Sequence, residues 1–374
     1  MSKVLIFNKF YFIDEIWISH HMNKFLSIQA LRGIAALGVV AFHSLSIEQK
    51  YSNGDSLLPD FFRLGQSGVD LFFVISGFVM VTVTKERFKI NGESMRFLWG
   101  RLSRIYPTYW FYFLLVGSIF FLKPGWVNAS QGHQIDLISS FLLLPDNQLP
   151  LVMVAWSLIH ELWFYLVFAV LLMFHERMLS MLLFLWAAII IVVNSLFTLG
   201  DFSPGARIVF HPYSLEFIIG ALVAVLIQDE KFVKSSARDS IILIVLVPAI
   251  GIPVAYVWDV LKQDGVFRMS VFGVLYGFLI FSFVTLEKTK KIKVPKPLQA
   301  IGDMSYTIYL SHILVLSAIG RLWMLISVPY SLIDNALAFL IMFAAVVGYG
   351  WVGYRLIERP IVQISHRLRA RWFE

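Results

Sequence analysis

Ten stretches of this chain are apolar over about twenty residues each, the length that crosses the roughly 30 Å hydrocarbon core of a bilayer. They fall at residues 28–47, 68–84, 105–123, 154–174, 178–198, 211–228, 239–258, 268–286, 305–326 and 333–357. A chain with that pattern folds as an all-α bundle of about ten transmembrane helices, because helices satisfy their own backbone groups in lipid. Composition agrees: 58% of the 374 residues are hydrophobic and 15% are charged, against about 25% charged in soluble proteins. With 34 Phe, 11 Trp and 14 Tyr, both a soluble multidomain protein and a disordered chain are excluded. The absence of cysteine removes thiolate metal sites, cysteine nucleophiles and disulfides. Residues 135–144 are apolar but too short to span, and read as a re-entrant or interfacial helix. No gap between spans exceeds about 30 residues, so no extramembrane domain is expected.

The charges orient the bundle. With both termini cytoplasmic, 24 of the 31 Lys and Arg residues fall on inside segments, as the positive-inside rule requires of an even number of spans. This divides the chain into an N-terminal cytoplasmic segment (1–27), a transmembrane domain (28–360) and a basic cytoplasmic tail (361–374). The first 21 residues mix aromatic and apolar residues with Lys9, Asp14 and Glu15. They read either as an interfacial helix or as an extension upstream of Met22, where a more ordinary start begins.

Ionisable residues inside spans are expensive, so each is a functional candidate. Arg32 and His43 are eleven residues apart in the first span, which puts them on one face of a helix with a rise of about 16 Å between them. Glu161 in the fourth span follows Trp156-Ser157-Leu158. It can pair with an arginine such as Arg32, or it can orient and charge-stabilise a catalytic imidazole as triad carboxylates do. His160, one residue earlier, points about 100° away. Ser76 and Gly77 are small enough to admit either a neighbouring helix or a substrate arm. Asp70 falls at the start of the second span, where it reads as an interfacial acceptor contact or a helix cap. Arg101 and Arg104 are spaced i, i+3, so one face presents two guanidiniums to a phosphate group, or simply to anionic lipid. Arg207, His211, Glu216 and His312 read as structural. No zinc spacing, P-loop or dinucleotide fingerprint is present.

Taken in order, several motifs resemble the acyltransferase type 3 family of integral-membrane O-acyltransferases. They are Ile28-Gln29-Ala30-Leu31-Arg32-Gly33 with His43; Gly68-Val69-Asp70-Leu71-Phe72-Phe73 through Ser76-Gly77-Phe78; Arg101-Leu102-Ser103-Arg104; Trp156-Ser157-Leu158 with Glu161; Glu216-Phe217 with Gly220; Ser305-Tyr306 through Tyr309-Leu310 to His312; and Glu358-Arg359-Pro360. The resemblance covers about residues 28–360. It implies some ten spans, an acyl-CoA donor (acetyl-CoA foremost) at the cytoplasmic face, and an outer glycan or lipid-linked glycan acceptor. It also implies an essential Arg and His at Arg32 and His43, an Arg pair for the donor at Arg101 and Arg104, and an acidic residue at Glu161. Many members carry a second acidic residue where this chain has Leu162. The Ile-Gln-Ala-Leu-Arg start and compact length are similar to members that acetylate exopolysaccharide. The expected protein is then a multi-pass O-acetyltransferase of the bacterial inner membrane, without metal. In it His43 acts as base, or is acylated first and then deacylated by the sugar; Glu161 orients the ring or balances its charge; Arg32 or small-residue backbone donors stabilise the oxyanion; and Arg32, Arg101, Arg104 and Ser76 line the donor path. A flippase using Arg32, His43 and Glu161 as a proton relay is the competing class.

Overall fold

The computed structural model describes residues 25–53, 56–128, 134–263 and 265–373. The reading of residues 1–21 therefore lies outside the described residues. Ten helices are long and apolar enough to cross a membrane: α1 (Leu26–Tyr51), α2 (Asp60–Val83), α3 (Glu93–Leu122), α4 (Met153–Leu171), α5 (Glu176–Leu196), α6 (Pro204–Leu226), α7 (Ala237–Val257), α8 (Val266–Lys288), α9 (Ser305–Met324) and α10 (Leu332–Ser365). No strand occurs among the described residues. The chain is thus a multi-pass membrane protein, with each span overlapping its expected position, though α2, α3 and α6 begin 7 to 12 residues earlier and α3 takes in Arg101 and Arg104. The apolar piece at 135–144 forms only the short helix Leu137–Leu142, which Asp136 caps by accepting from the amides of Ile138 and Ser139. The last span runs through a π-helical turn, Tyr354–Glu358, into the helix Arg359–Phe373.

Burial separates two groups of helices. Half or more of the apolar window is buried in α1, α2, α4, α6, α8 and α9, and a third or less in α3, α5, α7 and α10. The first group forms the interior; the second presents Leu, Ile, Val and Phe outward, as lipid-facing helices do. The core between them is aromatic, with Tyr109, Tyr112, Phe164, Phe168 and Phe217 fully buried. Such rings supply large contact areas where no hydrophobic effect drives helices together.

The tightest seam joins α2 to α6. A Cβ on Gly77 would stand 1.9 Å from the carbonyl oxygen of Phe217, and one on Gly220 would stand 1.8 Å from that of Val74. Only glycine allows the two backbones to touch in this way. Of the two small residues noted in the second span, Gly77 therefore serves helix packing, while Ser76 turns to an internal cavity.

Helix α1 is fastened at both ends by carboxylates, one from a distant helix and one of its own. Its first turn has no local cap. Instead Glu287, at the end of α8, accepts from the amides of Leu26 and Ser27, each at 2.8 Å, and from the Ser27 hydroxyl at 2.5 Å. These N–H groups would otherwise be unsatisfied, and a negative charge there suits the helix dipole. At the other end the buried Glu48 accepts from the amides of Leu57 and Leu58 at 2.9 Å and from Asn335 Nδ2 at 2.7 Å. The height of Arg32 and His43 in the bundle is set by these two anchors.

Candidate active site

A cavity of about 100 Å³ opens between α1, α2, α3, α4 and α9. Arg32, Ser76, Arg101, Arg104 and Glu161 all line it, together with Tyr165, Tyr306 and Tyr309. It lies at the bundle end where α1, α3 and α9 begin. A larger apolar cleft of about 410 Å³, walled by Phe113, Leu114, Phe121 and Phe141 among others, carries no titratable side chain and is remote from this chemistry.

The charges in the cavity are arranged unlike an ordinary ion pair. Glu161 accepts from the Ser76 hydroxyl at 3.1 Å and from the Tyr165 hydroxyl. Glu358, buried at the start of the last helical segment, accepts from the Thr307 amide at 3.2 Å and its hydroxyl at 2.5 Å. Arg32 feels Arg104, Glu358, Glu161 and Tyr165 electrostatically. Yet among the described residues neither Arg32 nor Arg104 makes a hydrogen bond or an ion pair within 4 Å. The pairing of Glu161 with Arg32 that the sequence left open is therefore absent. The carboxylates are held by neutral donors, and two guanidiniums face the cavity with their N–H groups uncommitted. Arg101 lies over the ring of Phe97 at 5.5 Å, which steadies its side chain beside them.

His43 is not a lining residue of this cavity. It stands about 16 Å further along α1 than Arg32, as the helical rise requires. Its Nδ1 is 3.0 Å from the Val39 carbonyl and 3.2 Å from Nε2 of His312. The two rings lie 4.9 Å apart. Packed rings link the cavity to the imidazole: Phe72 and Tyr309 line the cavity and meet edge to face, and Tyr309 in turn packs on His312. Tyr309 is fixed by its hydroxyl, which lies 2.7 Å from Ser157 Oγ and donates to the Val154 carbonyl at 3.0 Å.

Two sequence expectations need correction here. No hydrogen bond joins Glu161 to His43; the partner of the ring is His312, which the sequence placed among the structural residues. Asp70 is not a helix cap. It is fully buried and ion-paired with Arg268 at 3.1 Å, with Glu216 adjoining in the same charged cluster. His160 likewise packs into an aromatic group, 4.6 Å from the His211 ring and 5.1 Å from Tyr213. Sequence reasoning also passed over Thr307 as the support of Glu358. The motif around Ser305, Tyr306, Tyr309 and His312 was the available signal, since its i, i+3 and i+4 spacings put Tyr309 and His312 near one face. Among the described residues, no group of three or more His, Asp and Glu is placed to hold a metal ion.

An all-helical, multi-pass membrane bundle with a basic internal cavity and an imidazole pair beyond it is thus defined on structural grounds. A family model described as an acyltransferase domain (acyltransferase type 3) matches residues 25–355, and the chain belongs to that family. It is an O-acyltransferase. The exopolysaccharide production protein ExoZ of Rhizobium meliloti is 25% identical over 328 residues, covering 83% of this chain and 92% of the relative. A putative acetyltransferase, ORF330, of Acidianus two-tailed virus is 24% identical, covering 80% and 86%. The O-acetyltransferase OatA of Staphylococcus aureus is 24% identical over 89% of this chain, which spans only 56% of that longer protein. No solved structure matches the chain.

Proposed function

We propose that this chain moves an acyl group, acetyl foremost, from cytoplasmic acyl-CoA to a hydroxyl of an exported or lipid-linked glycan, in the inner membrane of a bacterium. The observation that carries the proposal is the pair of uncommitted guanidiniums, Arg32 and Arg104, in a cavity whose lining Tyr309 packs against the His312–His43 pair. Guanidiniums suit phosphate oxygens in bidentate fashion, so the phosphates of CoA bind at this end and the uncharged pantetheine arm extends inward past Arg32. The excess of basic residues at this end of the bundle makes it the cytoplasmic face. Both termini then lie inside. The exopolysaccharide role named for ExoZ and the O-acetyltransferase activity named for OatA support a glycan acceptor.

The step is a direct transfer. His43 Nε2 takes the proton of the sugar hydroxyl as its oxygen attacks the thioester carbonyl. The carbon–sulfur bond breaks, and the leaving thiolate takes the proton from the imidazolium. General base catalysis of this kind contributes about 10²–10⁴-fold. Arg32 lies too far along α1 to serve the reacting carbonyl and acts on the donor. Glu161 holds Ser76 and Tyr165 in place in the wall of the cavity and supplies a counter-charge to the guanidiniums.

The test is consumption of labelled acetyl-CoA by the purified protein in nanodiscs with a glycan extract, wild type beside His43→Ala. The expected result is turnover in the wild type and a fall of about 10²–10⁴-fold in the variant, at equal protein yield. Near-wild-type turnover by His43→Ala would overturn the assignment of the base. Glycan movement across the membrane without use of acyl-CoA would replace the whole reading with a transporter.

A further inference from the structure

The imidazole pair has a direction that can be read from its hydrogen bonds. Nδ1 of His312 lies 2.7 Å from the Tyr309 carbonyl and 3.2 Å from that of Ile308. A carbonyl only accepts, so this nitrogen carries the hydrogen, and the neutral ring presents a lone pair at Nε2. That lone pair faces His43 Nδ1 at 3.2 Å. His43 Nδ1 also faces the Val39 carbonyl at 3.0 Å. Confronted by two acceptors, His43 Nδ1 must be a donor. The tautomer of His43 is therefore fixed with its hydrogen on Nδ1 and its lone pair on Nε2, which has no hydrogen-bond partner among the described residues.

We infer that His312 is the positioning residue of the catalytic imidazole, filling the place that a carboxylate takes in a triad. The inference rests on His43 as base. The relation is not symmetric. The Nε2 of His312 is occupied by His43, whereas the Nε2 of His43 is open, so His312 cannot exchange roles with it. When His43 accepts the hydroxyl proton, its Nδ1–H becomes the donor of a charged ring. The contact with His312 then strengthens into a charge-assisted hydrogen bond. A contact that is stronger in the transition state than in the ground state raises kcat rather than donor affinity. His312 is fully buried between its own helix and α1, so its ring has little freedom to swing away. A neutral partner in place of a carboxylate also avoids bringing a second uncompensated charge into the membrane interior.

The experiment compares His312→Leu, His312→Gln and His43→Ala, each reconstituted as the full chain in nanodiscs, with labelled acetyl-CoA and the glycan extract. His312→Leu keeps bulk but removes the acceptor; His312→Gln restores an acceptor oxygen. The expected result is a fall in kcat of about 10–100-fold for His312→Leu. KM for acetyl-CoA should stay within about twofold of wild type, and His312→Gln should recover most of the loss. ¹⁵N-histidine spectra should show the Nδ1-protonated tautomer of His43 in wild type and in both His312 variants, because the Val39 carbonyl at 3.0 Å remains, with the Nδ1 resonance displaced in His312→Leu and restored in His312→Gln. Wild-type kcat in His312→Leu, or equal losses in the Leu and Gln variants with an undisplaced Nδ1 resonance, would overturn the inference. If His43→Ala itself keeps wild-type turnover, it is the reading of the base that fails. If His43→Ala is inactive while His312→Leu is fully active, only the role of His312 falls.

Discussion

Two sets of charge lie along the second span, and they solve the same problem differently. In one, Asp70 and Arg268 are both almost wholly withdrawn from solvent and are bonded to each other at 3.1 Å. In the other, Glu161 and Glu358 are held by hydroxyl groups and a backbone amide, while Arg32 and Arg104 are left to face a cavity. A carboxylate spent on an arginine neutralises it and ties helices together. A carboxylate spent on neutral donors leaves the arginine available for a ligand while still lowering the cost of its charge. Arginine in a membrane span is thus informative only together with the place where the nearby acid spends its lone pairs.

The comparison can be broken first at the sealed pair. Arg268→Leu strands Asp70 in the interior, and removing one member of a buried pair costs about 3–5 kcal/mol. The expected outcome is loss of monodisperse protein in detergent. The triple variant Asp70→Leu, Arg268→Met and Glu216→Gln, which removes every charge of the cluster, should recover much of the yield; continued failure of the triple variant would show that the cluster does more than balance itself. At the open set the expectation is reversed. Arg32→Ala or Arg104→Ala should leave thermal stability within about 1 kcal/mol, because neither side chain has a protein partner to strand. Each should raise KM for acyl-CoA about 10–100-fold through loss of a charge-assisted contact. A drop in melting temperature with unchanged KM would reclassify these arginines with Arg268. The smallest effect is expected at Glu287. Glu287→Ala removes the distant cap of α1 and should cost about 1 kcal/mol, read as a lower melting temperature, with kcat reduced less than by His312→Leu.

Much of the architecture was legible because the bilayer imposes a local rule. Twenty apolar residues make a span wherever they occur, so the ten helices could be placed without knowing their neighbours. The cavity residues Arg32, Ser76, Arg101, Arg104 and Glu161 were likewise marked by their type, since polar groups in spans are rare. What the sequence could not supply was pairing. The partner of His43 is 269 residues away, that of Asp70 is 198, and the cap of Leu26 is 261. Each depends on which helices become neighbours, and helical periodicity carries no information about that. Glu161 shows both cases: its Tyr165 partner is the i+4 neighbour that helical spacing allows, whereas Ser76 comes from another helix, 85 residues away.

The glycine seam between α2 and α6 has a mechanical consequence. With no Cβ at Gly77 or Gly220, the two backbones mesh at that crossing. A slide of one residue would drive the Cβ of Ser76 or Phe78 into a carbonyl oxygen. These helices therefore behave as a single stiff plank. Ser76 and Phe72 ride on it, so the wall of the cavity that α2 supplies is held to α6 by backbone contact rather than by side chains that could repack.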